Sequence, residues 1–188
     1  MDSNDLRAGM YILLDGQLHE CIQAQHIKPG KGHAFVNAKL ENMATGAQFE
    51  RKFRAKETIQ DAFVEKKPLE YLYRDAGHYV FQDSETYEQI EVDPKVVEPV
   101  AGYLKENQVV VCMIYEGAVI RILLPSAVDL KVVATDPGVR GDTASGGSKP
   151  AKLETGKVVQ VPFHINVGDI IRVDTRTDKY VERVSTKG

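Results

Sequence analysis

The stretch Lys28-Pro29-Gly30-Lys31-Gly32 lies between two runs with strand character, residues 18–27 and 34–40. Pro29 presets φ for a tight turn, and Gly30 and Gly32 permit positive φ on either side of Lys31. The stretch therefore predicts a β-hairpin whose tip is one lysine, flanked by residues too small to shield it. An ammonium held out in this way can enter a crevice of a partner and is open to a modifying enzyme. The same five residues also fit an ordinary basic turn, in which lysine serves solubility.

Strand signals continue outward from the hairpin. Short alternating or apolar runs recur at 10–14, 48–53, 69–73, 79–82, 87–92, 109–115, 118–123, 130–135, 157–163, 170–175 and 180–184. Turn residues punctuate them: Asp15-Gly16, Ala44-Thr45-Gly46, Asp75-Ala76-Gly77, Glu116-Gly117 and Asp136-Pro137-Gly138. This spacing predicts an all-β chain of small barrels rather than βαβ units. One helix start is read at Asp93, with Pro94 in the first turn and residues 95–101 following; another is read near Lys56.

The strands are too many for one small barrel. The charged run Glu65-Lys66-Lys67-Pro68 and the break at Pro125-Ser126 divide them into three consecutive domains, 1–64, 65–128 and 129–188. Domains of this size have thin cores, so they are expected to brace one another. The segment Arg140 to Pro150 holds no apolar residue larger than alanine and is predicted to be a flexible loop outside any core. Such a loop is either a tolerated insertion or a contact element.

The formal charge of −3 is unevenly spread: 0 over 1–64, −5 over 65–128 and +2 over 129–188. Within the first part, Lys28, Lys31, Lys39, Arg51, Lys52, Arg54 and Lys56 face only Glu41 and Glu50 across residues 26–56. An acidic middle beside a basic hairpin region is unlike a general DNA binder, which needs a broad basic field. It suits a protein that touches nucleic acid in selected places.

Several classes lack sequence support. Cys21 and Cys112 are far apart, each inside an apolar run, and no CxxC spacing occurs. Buried free thiols of a reducing compartment are expected, without a zinc site or dithiol centre. The N-terminus has early acidic residues and no apolar core of a signal peptide. No stretch approaches the ~18 apolar residues of a spanning helix. A soluble, cytoplasmic protein without membrane association is expected. The histidines His19, His26, His33, His78 and His164 form no HExxH, and no GxSxG, Walker loop or GxGxxG is present. Gly30-Lys31-Gly32 is half of a phosphate loop at most, since no GKS or GKT follows. No catalytic, metal or cofactor site is assigned.

An ordered set of motifs from end to end resembles bacterial elongation factor P. It comprises Asp5-Leu6-Arg7-Ala8-Gly9-Met10, the Lys28–Phe35 stretch, Lys39-Leu40-Glu41-Asn42, Thr45-Gly46, Tyr71-Leu72-Tyr73, Glu85-Thr86-Tyr87-Glu88-Gln89 and Asp136-Pro137-Gly138. The most specific part follows: Lys149-Pro150-Ala151, Glu154-Thr155-Gly156, Val161-Pro162-Phe163, Gly168-Asp169-Ile170-Ile171 and Val173-Asp174-Thr175. The resemblance implies an SH3-like (KOW-like) barrel followed by two OB-type barrels, L-shaped overall like tRNA. It implies a monomeric, non-enzymatic factor of the 70S ribosome that binds between the P and E sites and relieves stalling at consecutive prolines.

On that resemblance, Lys31 approaches the CCA end of the P-site peptidyl-tRNA, aimed by Pro29, Gly30 and Gly32. The third-domain residues Gly141, Asp142, Thr143, Gly146 and Gly147 lie near the mRNA codon of the E site. The resemblance also implies a lysyl-like or aminoalkyl extension on Lys31, added by a lysine-modifying enzyme. Two other readings compete: a general RNA-binding OB/KOW module without ribosome-specific activity, and a small-molecule enzyme using a barrel cleft.

Overall fold

Residues 1–138 and 147–186 are described by the computed structural model. Strands β1 (Tyr11–Leu14), β2 (Gln17–Ile27), β3 (Phe35–Asn42), β4 (Gln48–Arg54) and β5 (Gln60–Ala62) form one five-stranded sheet in the order β4-β3-β2-β1-β5. Alternation along β3 turns Val36, Ala38 and Leu40 inward. They meet Leu6, Ile12, Cys21, Phe53 and Ile59 in one buried cluster. Met1 closes the sheet's end: its amino group donates to the Ile59 carbonyl at 2.8 Å.

The second sheet contains β6 (Glu65–Asp75), β7 (His78–Asp83), β8 (Gln89–Val92), β9 (Val109–Tyr115) and β10 (Ala118–Leu123). The third contains β11 (Ala127–Thr135), β12 (Ser148–Leu153), β13 (Val158–Pro162), β14 (Ile170–Asp174) and β15 (Lys179–Ser185). Their orders, β10-β9-β6-β7-β8 and β13-β12-β11-β14-β15, are the same when strands are counted within each sheet. This is the Greek-key order of the OB type, so the chain is all-β with tandem KOW/OB-like sheets.

Two kinds of turn recur. Asp15-Gly16, Ala76-Gly77 and Glu116-Gly117 each join paired strands with positive φ at both residues, the mirror-image turn that matches strand twist. The other kind occurs once per sheet. Asn42 Oδ1 accepts from the N–H groups of Ala44 and Thr45, and the Asn42 carbonyl accepts from Gly46. Asp83 does the same with Glu85, Thr86 and Tyr87, and Asp174 with Arg176, Thr177 and Asp178. The fifth residues, Gly46, Tyr87 and Asp178, all have positive φ, at 74°, 60° and 59°. A side-chain oxygen thus substitutes for a backbone acceptor in a hairpin that leads to an edge strand, β4, β8 or β15, of each sheet.

By its contacts the chain divides into two compact units, Met1–Glu65 and Lys66–Gly188. The second and third sheets share a unit for a visible reason. A 3-10 helix, Ala101–Tyr103, follows α1 (Pro94–Val97) and delivers Tyr103 into the third sheet's core, against residues such as Val128, Leu130 and Ile171. The Tyr103 hydroxyl donates to Asp178 Oδ1, Lys157 Nζ lies 3.3 Å from the same carboxylate, and Thr155 Oγ1 donates to the Gly102 carbonyl at 2.6 Å. Burial and the Asp178 carboxylate raise the Tyr103 pKa, and the phenol's hydrogen bond lowers that of Asp178. The expected bracing of thin cores is realised within this unit.

Three local expectations are corrected. No helix starts near Lys56: its φ is 62°, and residues 55–56 form a turn before β5. The helix begun by Asp93, whose side chain accepts from the Lys95 N–H, ends at Val97 rather than continuing to 101. Ser148, Lys149 and Pro150 are strand, not loop, and Lys149 is buried. The lysine's aliphatic stem supplies apolar surface that a count of apolar residue types overlooks.

Candidate functional site

Strands β2 and β3 pair as far as Ile27 opposite Phe35, and residues 28–34 cross between them. Lys28, Pro29, Gly30, Lys31, Gly32 and His33 are all exposed. Lys31 has no hydrogen-bond or ion-pair partner among the described residues, so its ammonium is held out by the backbone alone. Gly32 has φ +111°, a conformation that side-chain-bearing residues rarely adopt. Gly30 does not lie in the left-handed region, and a Cβ added there would meet nothing within 4 Å. Of the two glycines that permit positive φ, Gly32 alone adopts it.

The stem of the tip is braced from both sides. Lys52 Nζ sits 5.1 Å from the centre of the Phe35 ring, and Phe35 faces Arg54 across β4. On the β2 side, Arg7 donates to His26 Nε2 at 2.9 Å and also to the carbonyls of Asn4 and Leu6. This gives the Asp5–Met10 motif a local task beside the hairpin. The seven cations of the basic band, from Lys28 to Lys56, are all exposed. None makes an ion pair with a described residue. Unpaired cations beside a lysine-tipped hairpin make a surface suited to phosphate groups.

The rest of the chain offers little chemistry. Cys21 and Cys112 are free and buried, and burial pushes the Cys112 thiol up to about 12, far from a reactive thiolate. Asp83 is held down to about 2, first by its hydrogen bond with Lys67, at 2.8 Å, and then by the turn's N–H groups. That is a structural carboxylate. No group of three or more potential ligands is arranged to hold a metal among the described residues. Nor is any helix there long and apolar enough to cross a membrane.

Gly141, Asp142, Thr143 and Gly146 lie outside the described residues. Gly147 is described and half-buried, immediately before β12. Sequence reasoning missed Arg7 and His26 as a pair, since nothing in their spacing announces a contact. It also missed the threefold turn, although the recurring Asn/Asp-x-x-Thr spacing at 42–45, 83–86 and 174–177 carries the signal.

Three family models match in series. Residues 2–59 match the elongation factor P KOW-like domain, 64–122 the elongation factor P OB domain, and 128–183 the elongation factor P C-terminal domain. Among curated relatives, the elongation factor P of Coprothermobacter proteolyticus is 53% identical over 98% of this chain and 99% of its own length. That of Pelotomaculum thermopropionicum is 49% identical over 98% and 100%. A solved structure titled eukaryotic translation initiation factor 5A from Methanococcus jannaschii is similar in fold, with a TM-score of 0.51 at 19% identity. It covers 65% of this chain and 92% of its own.

Proposed function

The chain belongs to the elongation factor P family of non-catalytic translation factors, and on that premise we propose that it acts through Lys31 at the ribosomal peptidyl-transfer site. The reading rests above all on one observation: Lys31 is exposed and unpartnered at the end of a hairpin flanked by unpaired cations. In this reading the monomeric, cytoplasmic factor occupies the 70S ribosome between the P and E sites. The basic band lies along tRNA phosphates, and Lys31 reaches the CCA end of the peptidyl-tRNA.

Proline is a poor partner in peptide-bond formation because its ring fixes φ and its nitrogen is secondary. The ribosome supplies the chemistry. The factor restricts the peptidyl-tRNA end to geometries from which the bond forms, an entropic contribution that needs no catalytic group of its own. A lysyl-like or aminoalkyl extension on Lys31, added by a lysine-modifying enzyme, lengthens the arm and keeps a cation for a phosphate-rich crevice. The segment containing Gly141, Asp142, Thr143, Gly146 and Gly147 meets the mRNA codon of the E site. The three proposed domains are 1–64, 65–128 and 129–188.

The basic band alone also suits a general RNA-binding module. Reconstituted translation of a proline-run message separates the two readings. The factor reading expects rescue by the native protein, loss of most rescue with Lys31→Ala, and a defined mass addition at Lys31. Salt-dependent binding to any RNA, with no effect on proline-run synthesis, supports the module instead.

A further inference from the structure

The β11–β12 ladder ends where Thr135 faces Ala151. One residue earlier on β12, Pro150 has no N–H to offer β11, and its carbonyl accepts from Thr135 Oγ1 at 2.9 Å. Beyond it comes Lys149, which is only 5% exposed. It shares the inward face of β12 with Ala151 and Leu153 and lies opposite Val161 of β13. Its Nζ donates to the carbonyl of Asp136, across the gap from β12 to the residue that follows β11. No described carboxylate pairs with it. Gly138 is held as closely: a Cβ there would lie 2.6 Å from the Phe163 carbonyl oxygen.

An ammonium on the inward face of a small barrel is costly unless it is satisfied, and leucine or methionine would fill the same space without that cost. The cation is therefore used. We propose that Lys149 is a positioning residue: it closes the neck between Asp136 and Pro150 and fixes the spacing of these two residues, which flank 139–146 in sequence. Backbone pairing cannot do this, because Pro150 removes the donor that would extend the ladder. Gly138 against Phe163 fixes the outgoing side, and Lys149 ties the returning side to it. The consequence for translation rests on the reading above, in which this segment meets the E-site codon.

The test uses the full-length factor. Lys149→Met keeps the stem and deletes the ammonium; Lys152→Met, on the exposed face of the same strand, is the control. Amide exchange at Thr135, Asp136 and Lys149 is expected to quicken about tenfold or more in Lys149→Met only, as local opening no longer breaks the lysine bond. The melting temperature should hold. The rate of proline–proline bond formation at saturating factor should hold too, while the half-saturating concentration rises about fivefold, as expected of lost preorganisation, and dependence on the E-site codon flattens.

Wild-type exchange at the neck in Lys149→Met overturns the proposal outright. So does retained codon dependence in Lys149→Met when a Gly/Ser replacement of residues 141–147 abolishes it. If that replacement also leaves codon dependence intact, the E-site reading fails, and the purpose given to Lys149 fails with it. Should Lys149→Met not fold, Gly138→Ala disturbs the same neck without entering the core and is expected to flatten codon dependence likewise; a wild-type response there also counts against the proposal.

Discussion

Strand β3 has a turn at each end, and the two are built in opposite ways. At its far end, the Asn42 side chain and carbonyl gather the N–H groups of Ala44, Thr45 and Gly46, and Asn42 Nδ2 donates to Gln17 Oε1 at 2.8 Å. At its near end, residues 28–33 have none of this, and Lys31 stands alone. The first turn satisfies its polar groups internally and needs no partner to be stable. The second leaves its donors open, and its shape depends on one glycine and a braced stem. Because both flank a single strand, the contrast separates residues that hold the barrel together from residues that face outward.

The sharpest way to break this contrast is Lys31→Ala. It should lose most rescue of proline-run synthesis while stability changes by no more than roughly ±0.5 kcal/mol, as for other surface positions. Full rescue by Lys31→Ala would falsify the assignment. Gly32→Val should come next. Forcing a β-branched residue to φ +111° costs roughly 1–3 kcal/mol locally, so the tip relaxes and Lys31 is misaimed. Rescue should fall with the lysine still present, and intact mass must show whether modification survives. Gly30→Ala is the matched control and should be nearly silent, since open space surrounds the added methyl. Equal losses in the two variants would show that backbone geometry at Gly32 is not the cause.

At the other end of β3 the order of effects reverses. Asn42→Ala removes the acceptor of the Ala44 and Thr45 N–H groups and the donor to Gln17, and should cost about 1–2 kcal/mol by denaturant unfolding. The proline-run rate at a temperature where the variant is folded should be unchanged. A rate defect without a stability defect would erase the distinction between the two turns.

The smallest effect is electrostatic and compares the three sheets. Asp83 and Asp174 titrate where Asn42 cannot. Both carboxyls are lowered from the ordinary 3.8, Asp83 to about 2, mainly by Lys67, and Asp174 mainly by the Arg176 N–H. A lowered folded-state pKa contributes stability that is fully present above the ordinary range and is lost as pH falls toward the folded value. Between about pH 4 and pH 2, amide exchange in the turns after Asp83 and Asp174 should therefore quicken relative to the turn after Asn42. Acid loosening of all three turns together would point to global unfolding instead.

Much of this was legible in the chain because β-structure writes itself locally. The alternation of Val36, Ala38 and Leu40, and the Asp-Gly and Glu-Gly pairs, identify strands and hairpins without knowledge of their partners. The Lys31 tip was readable for the same reason. What escaped depended on contacts distant in sequence. Gln60–Ala62 is too short to show a period, and it becomes a strand because β1 offers it an edge. Lys149 looks like a loop residue until β13 and Asp136 are placed around it. Tyr103 follows a helix of the second barrel and gives no sign that it packs in the core of the third. Gly30 and Gly32 look equivalent as letters and differ only in backbone angle.

Tyr103 also decides where this chain tolerates dissection. The hydrophobic cluster of the first unit draws only on residues up to Ile59, so a cut near residue 65 severs no side-chain packing of that cluster. A cut near 125 is different in kind. It strips Tyr103 of its surroundings, leaves the Gly102 carbonyl without Thr155, and opens a hole in the remaining barrel where a phenol ring had been. The junction near 125 is a graft whose two sides share tissue.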